Sequence, residues 1–260
     1  MKKSIYLEIL RILAIILVVF NHTDGFFLYY STTENPLTWW FSFLGSVICK
    51  INVPLFLMIS GAALLEREET VGELFGKRIR RIAVLLILFS LPYYIIDTLR
   101  DGGRLSLTGF LRGLVEGSIQ ESFWYLYLYL GLLLLLPLLR RAAMGLRDSE
   151  LRYLLCLQMI LCVAFPVFSG LTGISVSGGP GQLNYYVAFL LSGYYLGRRL
   201  DMETISDRQA GGILLLAVLS VAATWGIVRL DYAKLGEYRR ECLDFFVPVL
   251  ASCVFLLVRW

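Results

Sequence analysis

Charged residues and histidine are scarce in this chain. Asp, Glu, Lys and Arg make up 17% of its 260 residues, and His22 is the single histidine. A soluble domain carries about 25% charged residues. Here 58% of the residues are hydrophobic and the mean hydropathy is +0.70. This composition excludes an ordinary soluble globular protein and predicts a polytopic membrane protein.

Several chemical signatures are also missing. The five cysteines have neither a metal-type spacing nor a disulfide framework, so we expect no metal. The glycine-rich stretch Ser175–Gly181 lacks the Gly-Lys-Ser/Thr ending of a phosphate-binding loop, and a turn is the simpler interpretation. No feature indicates a nucleic-acid partner. The polar segments are too short to fold alone, which predicts one membrane domain over residues 1–260.

Long apolar stretches are what the sequence has instead. Stretches of about 18 residues or more predict membrane-spanning helices. Eight are present, at residues 4–25, 39–65, 82–98, 122–139, 151–169, 183–200, 211–229 and 244–260. We therefore expect an all-α, polytopic helical bundle with about eight transmembrane helices.

The distribution of basic residues predicts the orientation. The first apolar stretch is long and lacks a small-residue cleavage site, so we expect it to stay as the first span. With the N-terminus in the cytoplasm, 15 of the 24 Lys and Arg residues lie on inner segments and 7 on outer ones. Cytoplasmic loops carry such an excess. Arg11 and Lys50 are left inside spans.

Arg11 and His22 both belong to the first apolar stretch. Eleven helical steps are about three turns, which puts them on one face, roughly 16 Å apart. Ionisable groups cost at least ~2.5 kcal/mol each at mid-membrane and usually face a protein interior. We therefore expect a functional pair on one wall of a shared cavity. A simpler alternative is that Glu8, three residues earlier, neutralises Arg11 and that His22 marks the membrane interface.

Other candidate positions also have two interpretations. Pro54 predicts a kink in the second span, and Ser60 with Gly61 would let a helix or a ligand approach closely. The basic segment at residues 77–81 offers guanidinium groups for the phosphates of a nucleotide-like cofactor. Such segments also serve as topology signals or contacts with anionic lipid.

Aromatic residues gather near the predicted outer ends of the spans. They fit an interfacial belt. The alternative for the first outer loop is a border of an acceptor site, and the alternating tyrosines Tyr125, Tyr127 and Tyr129 would also offer stacking surfaces for a sugar. The aromatic residues are Tyr29, Tyr30, Trp39, Trp40, Phe123, Trp124, Tyr125, Tyr127 and Tyr129.

Several stretches, taken in order, resemble acyltransferase family 3, a group of bacterial polytopic membrane proteins. The family includes O-acetyltransferases that modify O-antigen, capsule, exopolysaccharide and enterobacterial common antigen. The resemblance extends over most of the chain to about residue 200. It is carried by Arg11 with His22, Val53–Gly61, Arg78–Arg81, Trp124 with Pro137, and Phe189–Gly197.

The resemblance implies transfer of an acyl group, commonly acetyl from acetyl-CoA, to a hydroxyl of a glycan or lipid-linked sugar in the bacterial cytoplasmic membrane. It implies a catalytic role for His22 and Arg11, and acyl-CoA binding by Arg78 and Arg81. An imidazole, which ordinarily titrates near pH ~6.5, can accept the proton of the attacking hydroxyl. Arg11 is too far along the helix to touch the same reacting atom, so we expect it to act toward the CoA side.

Two features leave alternatives open. The family typically has ten core spans, whereas eight are predicted here, so we expect a truncated or shortened member. The same intramembrane cations would also suit a transporter or flippase of a glycolipid or small anion. A third interpretation is a non-catalytic membrane interaction protein or an inactive fragment.

Overall fold

A computed structural model describes residues 4–22, 31, 33–172, 185–238 and 240–260. Helices are the only regular elements among these residues, which confirms the predicted all-α fold. Within the described ranges, six helical stretches are long and apolar enough to cross a membrane, so the protein is a multi-pass membrane protein. They are Pro36–Leu64, Val71–Arg100, Glu121–Gly145, Asp148–Ser169, Asp207–Leu235 and Arg240–Arg259.

The helices follow the predicted apolar stretches. They are α1 (Ile5–Asn21), α2 (Pro36–Cys49), α3 (Asn52–Leu64), α4 (Arg80–Arg100), α5 (Leu107–Glu116), α6 (Trp124–Gly145), α7 (Asp148–Met159), α8 (Phe165–Thr172), α9 (Tyr185–Tyr194), α10 (Asp207–Leu235) and α11 (Val247–Arg259). The first and sixth predicted spans correspond to α1 and to α9 with its extension, which are shorter than the six stretches above. Wider π-helical turns occur at Leu74–Ile79, Ile160–Ala164 and Tyr195–Arg199.

The chain divides into two compact units, residues 1–65 with 145–260, and residues 66–144. In the first unit, α3 is the central helix and packs against α1, α9 and α11. Most of the span Pro36–Leu64 is buried within the protein. The fully buried side chains Leu55, Leu57 and Met58 of α3 form the middle of this unit's core.

Glycine allows α3 and α9 to cross at very short range. A Cβ atom added to Gly61 would overlap the carbonyl group of Leu190, and one added to Gly193 would overlap the backbone of Met58. Small residues are the usual means of bringing two membrane helices into backbone contact. The predicted close approach at Gly61 is therefore made by a helix, with Gly193 as the matching small residue.

Arginine side chains close helix ends in the same unit. The last carbonyls of a helix have no intrahelical donor, and lipid supplies none. Arg198 Nε donates to the Ala62 carbonyl of α3 at 2.7 Å. Arg259 Nη1 donates to the Leu200 carbonyl at 2.9 Å and also to that of Leu196. These guanidinium groups satisfy backbone acceptors that would otherwise be left unpaired.

The second unit contains α4, α5 and α6. The short helix α5 lies in the predicted loop between the third and fourth spans; Ser106 Oγ caps it by accepting the Gly109 N–H at 3.0 Å. Tyr94 and Tyr127 donate their hydroxyls to the Ser106 and Leu114 carbonyls, at 3.0 and 2.6 Å. These bonds join α5 to its neighbours within the unit.

Replacing Gly193 by Ala should destabilise the protein by about 1–3 kcal/mol, because the added methyl group must push the two backbones apart. Gly212→Ala is the matched control, since a Cβ there meets no atom within 4 Å and helical Gly→Ala changes are otherwise mildly stabilising. We expect a lower melting temperature in detergent for Gly193→Ala alone. Equal melting temperatures for both variants would contradict the close crossing.

Candidate active site

Helix α1 carries Arg11 and His22 beside its buried stripe. At about 100° per residue, both positions lie at the same edge of this stripe, with Arg11 half-buried and His22 exposed at the C-terminal end of the helix. The predicted helix is thus present and continuous from one residue to the other. The stripe is formed by Leu7, Leu10, Ala14 and Leu17.

Glu8 pairs with Arg11. Arg11 Nη1 donates to Glu8 Oε1 at 2.6 Å, and both side chains are roughly half exposed. Neutralisation of Arg11 by its neighbour, one of the two interpretations of this position, is therefore observed. Arg11 Nε and Nη2 have no hydrogen-bond partner among the described residues, and neither has the His22 imidazole.

The second span is interrupted at Lys50 and Ile51, between α2 and α3. Pro54 lies four residues beyond Lys50, and a proline leaves the carbonyl four residues earlier without its helical donor. The interruption thus occurs where the predicted kink should act. It also places a lysine in the middle of an apolar span.

Lys50 forms an ion pair across the first unit. Its Nζ lies 3.0 Å from Asp244 Oδ1 and donates to Oδ2 at 3.1 Å. Asp244 follows the 3₁₀ turn Arg240–Leu243, just before α11. The side chains are 27% and 50% exposed, and a charged pair in a membrane domain ordinarily faces a protein interior or a water-filled cavity rather than lipid. This pair is a functional candidate that the sequence reasoning missed.

Aromatic rings cluster where α2 and α10 meet. Trp40 stacks on Trp225 with 5.7 Å between ring centroids, and Trp39 stacks on Phe43 at 5.2 Å. This arrangement suits both interpretations, an interfacial belt and a border of an acceptor site. Three other candidates, Tyr29, Tyr30 and Ser175–Gly181, lie outside the described residues.

In the second unit, Glu69 joins two arginines. Arg78 Nε donates to both Glu69 oxygens, at 3.1 and 2.9 Å. Arg140 Nη2 donates to Glu69 Oε2 at 3.0 Å, and Arg140 Nη1 to the Glu69 carbonyl at 3.4 Å. The sequence reasoning singled out Arg78 but neither of its two companions.

Electrostatics keep the Glu69 carboxyl ionised. Burial by itself raises its pKa, but the hydrogen bonds and charges of Arg140 and Arg78 outweigh burial, and the pKa lies below the usual 4.5. Arg81, the other predicted donor-binding residue, is exposed and has no hydrogen-bond partner in the described part of the chain. Arg78 is therefore held in place, whereas Arg81 is not.

The four predicted site residues fall into two sets. Arg11 and His22 share α1 in the first unit, while Arg78 and Arg81 lie at the start of the third span in the second. The sequence contained a signal for one missed residue, since Lys50 is a cation inside an apolar stretch. The partners Asp244 and Arg140 had no comparable signal, because each lies at an end of a predicted apolar stretch, where charged residues are common.

Comparison with known proteins gives one match. A family model described as an acyltransferase domain matches residues 4–259. No curated protein and no solved structure matches the chain. The family match spans both units and extends the predicted resemblance to the end of α11.

Breaking the Lys50–Asp244 pair should lower stability. We expect Lys50→Met or Asp244→Asn alone to cost about 1 kcal/mol, since each leaves a partly exposed charge without its partner, and the exchange Lys50→Asp with Asp244→Lys to recover part of that loss. Lys77→Met is the control, because the Lys77–Glu73 pair is exposed and such pairs contribute about 0.5 kcal/mol. Thermal unfolding in detergent would measure these losses of stability. Equal losses in Lys50→Met and Lys77→Met would contradict the predicted contribution of the Lys50–Asp244 pair.

Glu69 should stabilise the protein in a pH-dependent way. A carboxyl whose pKa is lowered by folding contributes fully above its unfolded pKa and loses that contribution as pH falls through the folded value. The stability difference between the natural chain and Glu69→Gln should therefore be constant from pH 8 to about 5, then shrink below about 4.5. Paired unfolding curves across this range would test it. A stability difference that grows as the pH falls would mean that folding raises the pKa of Glu69 instead of lowering it.

Proposed function

Because the chain belongs to acyltransferase family 3, we propose that this membrane acyltransferase moves an acetyl group from acetyl-CoA to a hydroxyl of a cell-surface polysaccharide or lipid-linked sugar. We further propose that it works in the bacterial cytoplasmic membrane with its N-terminus in the cytoplasm. The excess of Lys and Arg on the inner segments supports this orientation.

The observation that carries the proposal is the position of His22. It is the single histidine of the chain, and its side chain is exposed at the end of α1 rather than packed in the core. None of the described residues engages its ring by a hydrogen bond. An imidazole in this position is open to an acceptor hydroxyl, which a packed histidine would not be.

The chemistry asked of His22 is general base catalysis. A sugar hydroxyl is a poor nucleophile at neutral pH, and a neutral imidazole can take its proton as the oxygen attacks the thioester carbonyl. The carbon–sulfur bond then breaks, an ester forms, and the imidazolium returns its proton to the CoA thiolate. Such a base contributes about 10²–10⁴-fold to the rate.

We assign the arginines to the donor. Guanidinium groups bind phosphate oxygens through two parallel N–H donors, and acyl-CoA carries several phosphates. Arg78 and Arg81 lie near the start of the stretch Val71–Arg100, on the proposed cytoplasmic side, where CoA is available. Arg11 lies three turns before His22 on α1 and would act along the donor path. Its pairing with Glu8 makes its charge tolerable in an apolar helix.

The test is transfer of radiolabel from acetyl-CoA to the glycan and lipid-linked sugar fractions of membranes. We expect His22→Ala to lose about 10²–10⁴-fold in rate and His22→Lys to be equally impaired, because a lysine keeps a positive charge but is protonated at neutral pH. Val19→Ala, on an exposed part of the same helix, should retain the natural rate. All variants are compared at matched amounts of inserted protein.

The two alternatives predict different results. Equal labelling by the natural chain and His22→Ala would remove His22 from the chemistry. Preserved function in His22→Lys would favour a cationic transport path over base catalysis. Absence of label with every variant, although the protein is folded and inserted, would contradict the proposed donor or acceptor.

A further inference from the structure

Glu69 differs from every carboxylate near it in the sequence. Glu66 and Glu68 are exposed, whereas the Glu69 side chain is only 5% exposed. A carboxylate is costly to bury unless it is paired and hydrogen-bonded. Arg78 and Arg140 provide that pairing, with side chains 24% and 9% exposed. One negative charge is therefore shared between two guanidinium groups.

The backbone around Glu69 is also fixed. Arg140 Nη1 donates to the Glu69 carbonyl. The next residue, Thr70, caps the following helical turn, because its Oγ1 accepts the Glu73 N–H at 3.2 Å and its own N–H donates to Glu73 Oε2 at 3.1 Å. The carboxylate that meets Arg78 is consequently held from both sides and is not the end of a freely moving loop.

Glu69 engages only one edge of the Arg78 guanidinium. Both carboxylate oxygens accept from Nε, and Nη1 and Nη2 have no hydrogen-bond partner within the described ranges. A guanidinium is planar, so an anchored Nε fixes the direction of the other two nitrogens. The pair Nη1 and Nη2 is the edge that can bind two oxygens of one phosphate in parallel.

Arg78 also lies in the π-helical turn Leu74–Ile79. Such turns are rare and often occur at functional sites. Neighbouring cations in the same region are arranged differently: Lys77 pairs with the exposed Glu73, and Arg81 is exposed. Arg78 is thus the one cation of residues 77–81 that a buried carboxylate orients.

We infer that Glu69 is a positioning residue for the acyl donor: it holds Arg78 so that the free Nη1–Nη2 edge binds a phosphate group of acyl-CoA. The inference rests on the proposed function, since it assumes that Arg78 contacts the donor. Glu69 itself touches neither the donor nor the reacting atoms.

Positioning and simple electrostatics predict opposite results for Glu69→Gln. Glu69→Gln removes a negative charge that would repel an anionic donor, and this effect alone should lower the KM for acetyl-CoA. If Glu69 positions Arg78, the KM should instead rise about tenfold, the loss expected for one well-aligned charge-assisted hydrogen bond. The kcat should change little, because the chemical step is untouched.

The experiment measures kcat and KM for acetyl-CoA in membranes containing the full chain. The variants are Glu69→Gln, Glu69→Asp, Arg78→Ala and the double variant Glu69→Gln with Arg78→Ala. Glu68→Gln is the matched control, because it removes the same charge from an exposed neighbour. We expect Glu69→Asp to keep part of the natural affinity and Glu68→Gln to leave the KM unchanged or slightly lower. In the Arg78→Ala background, Glu69→Gln should add no further increase.

The outcomes separate this inference from the proposed function. A raised KM in Arg78→Ala with an unchanged or lowered KM in Glu69→Gln would overturn the positioning role and keep the donor site. A lower kcat in Glu69→Gln at constant KM would show a purely structural role and also overturn it. An unchanged KM in Arg78→Ala would show that Arg78 does not bind the donor, and the inference about Glu69 would then be wrong. Absence of transfer from acetyl-CoA by the natural chain would overturn the proposed function itself.

Discussion

Backbone polar groups inside a membrane-spanning domain have to find their partners within the protein, because the hydrocarbon offers neither donors nor acceptors, and buried charges need partners as well. This constraint explains the placement of most charged side chains described above. Arg198 and Arg259 close the carbonyl ends of helices. Lys50 meets Asp244 at an interruption of the second span. These charged side chains therefore satisfy hydrogen-bonding and charge requirements of the fold, and any functional role must be compatible with those contacts.

The constraint also explains which parts of the fold the sequence predicts. Apolar stretches of membrane length and the α1 helix follow from composition, since a helix is the simplest way to satisfy the backbone in lipid. The pairing of Glu8 with Arg11 follows from a three-residue spacing on one helix. Pro54 predicts the interruption at Lys50, because a proline leaves the carbonyl four residues earlier without its helical donor. Each of these features is local in the chain.

The features that sequence reasoning missed join distant residues. Lys50 and Asp244 are 194 positions apart, and Glu69 and Arg140 are 71 apart. Periodicity shows which face of a helix is apolar, but it does not show which helix will lie against that face. Gly61 and Gly193 illustrate the limit. Each is recognisable as a site of close packing, yet only the folded structure shows that α3 and α9 use both in one crossing.

Two of the three arginines assigned to the donor, Arg11 and Arg78, are held in different ways, and the difference bears on what each can do. Arg11 is held by Glu8 on the same helix, and both side chains are about half exposed, so solvent and ligands can compete for that pair. Arg78 is held by a buried carboxylate that a second arginine also binds. A competing phosphate would have to leave Glu69 with one partner fewer in a poorly solvated place, which is costly. A donor phosphate is therefore better accommodated on the open edge of Arg78, with the Glu69 contact intact. At Arg11, by contrast, a ligand group can replace Glu8 at a lower cost in free energy.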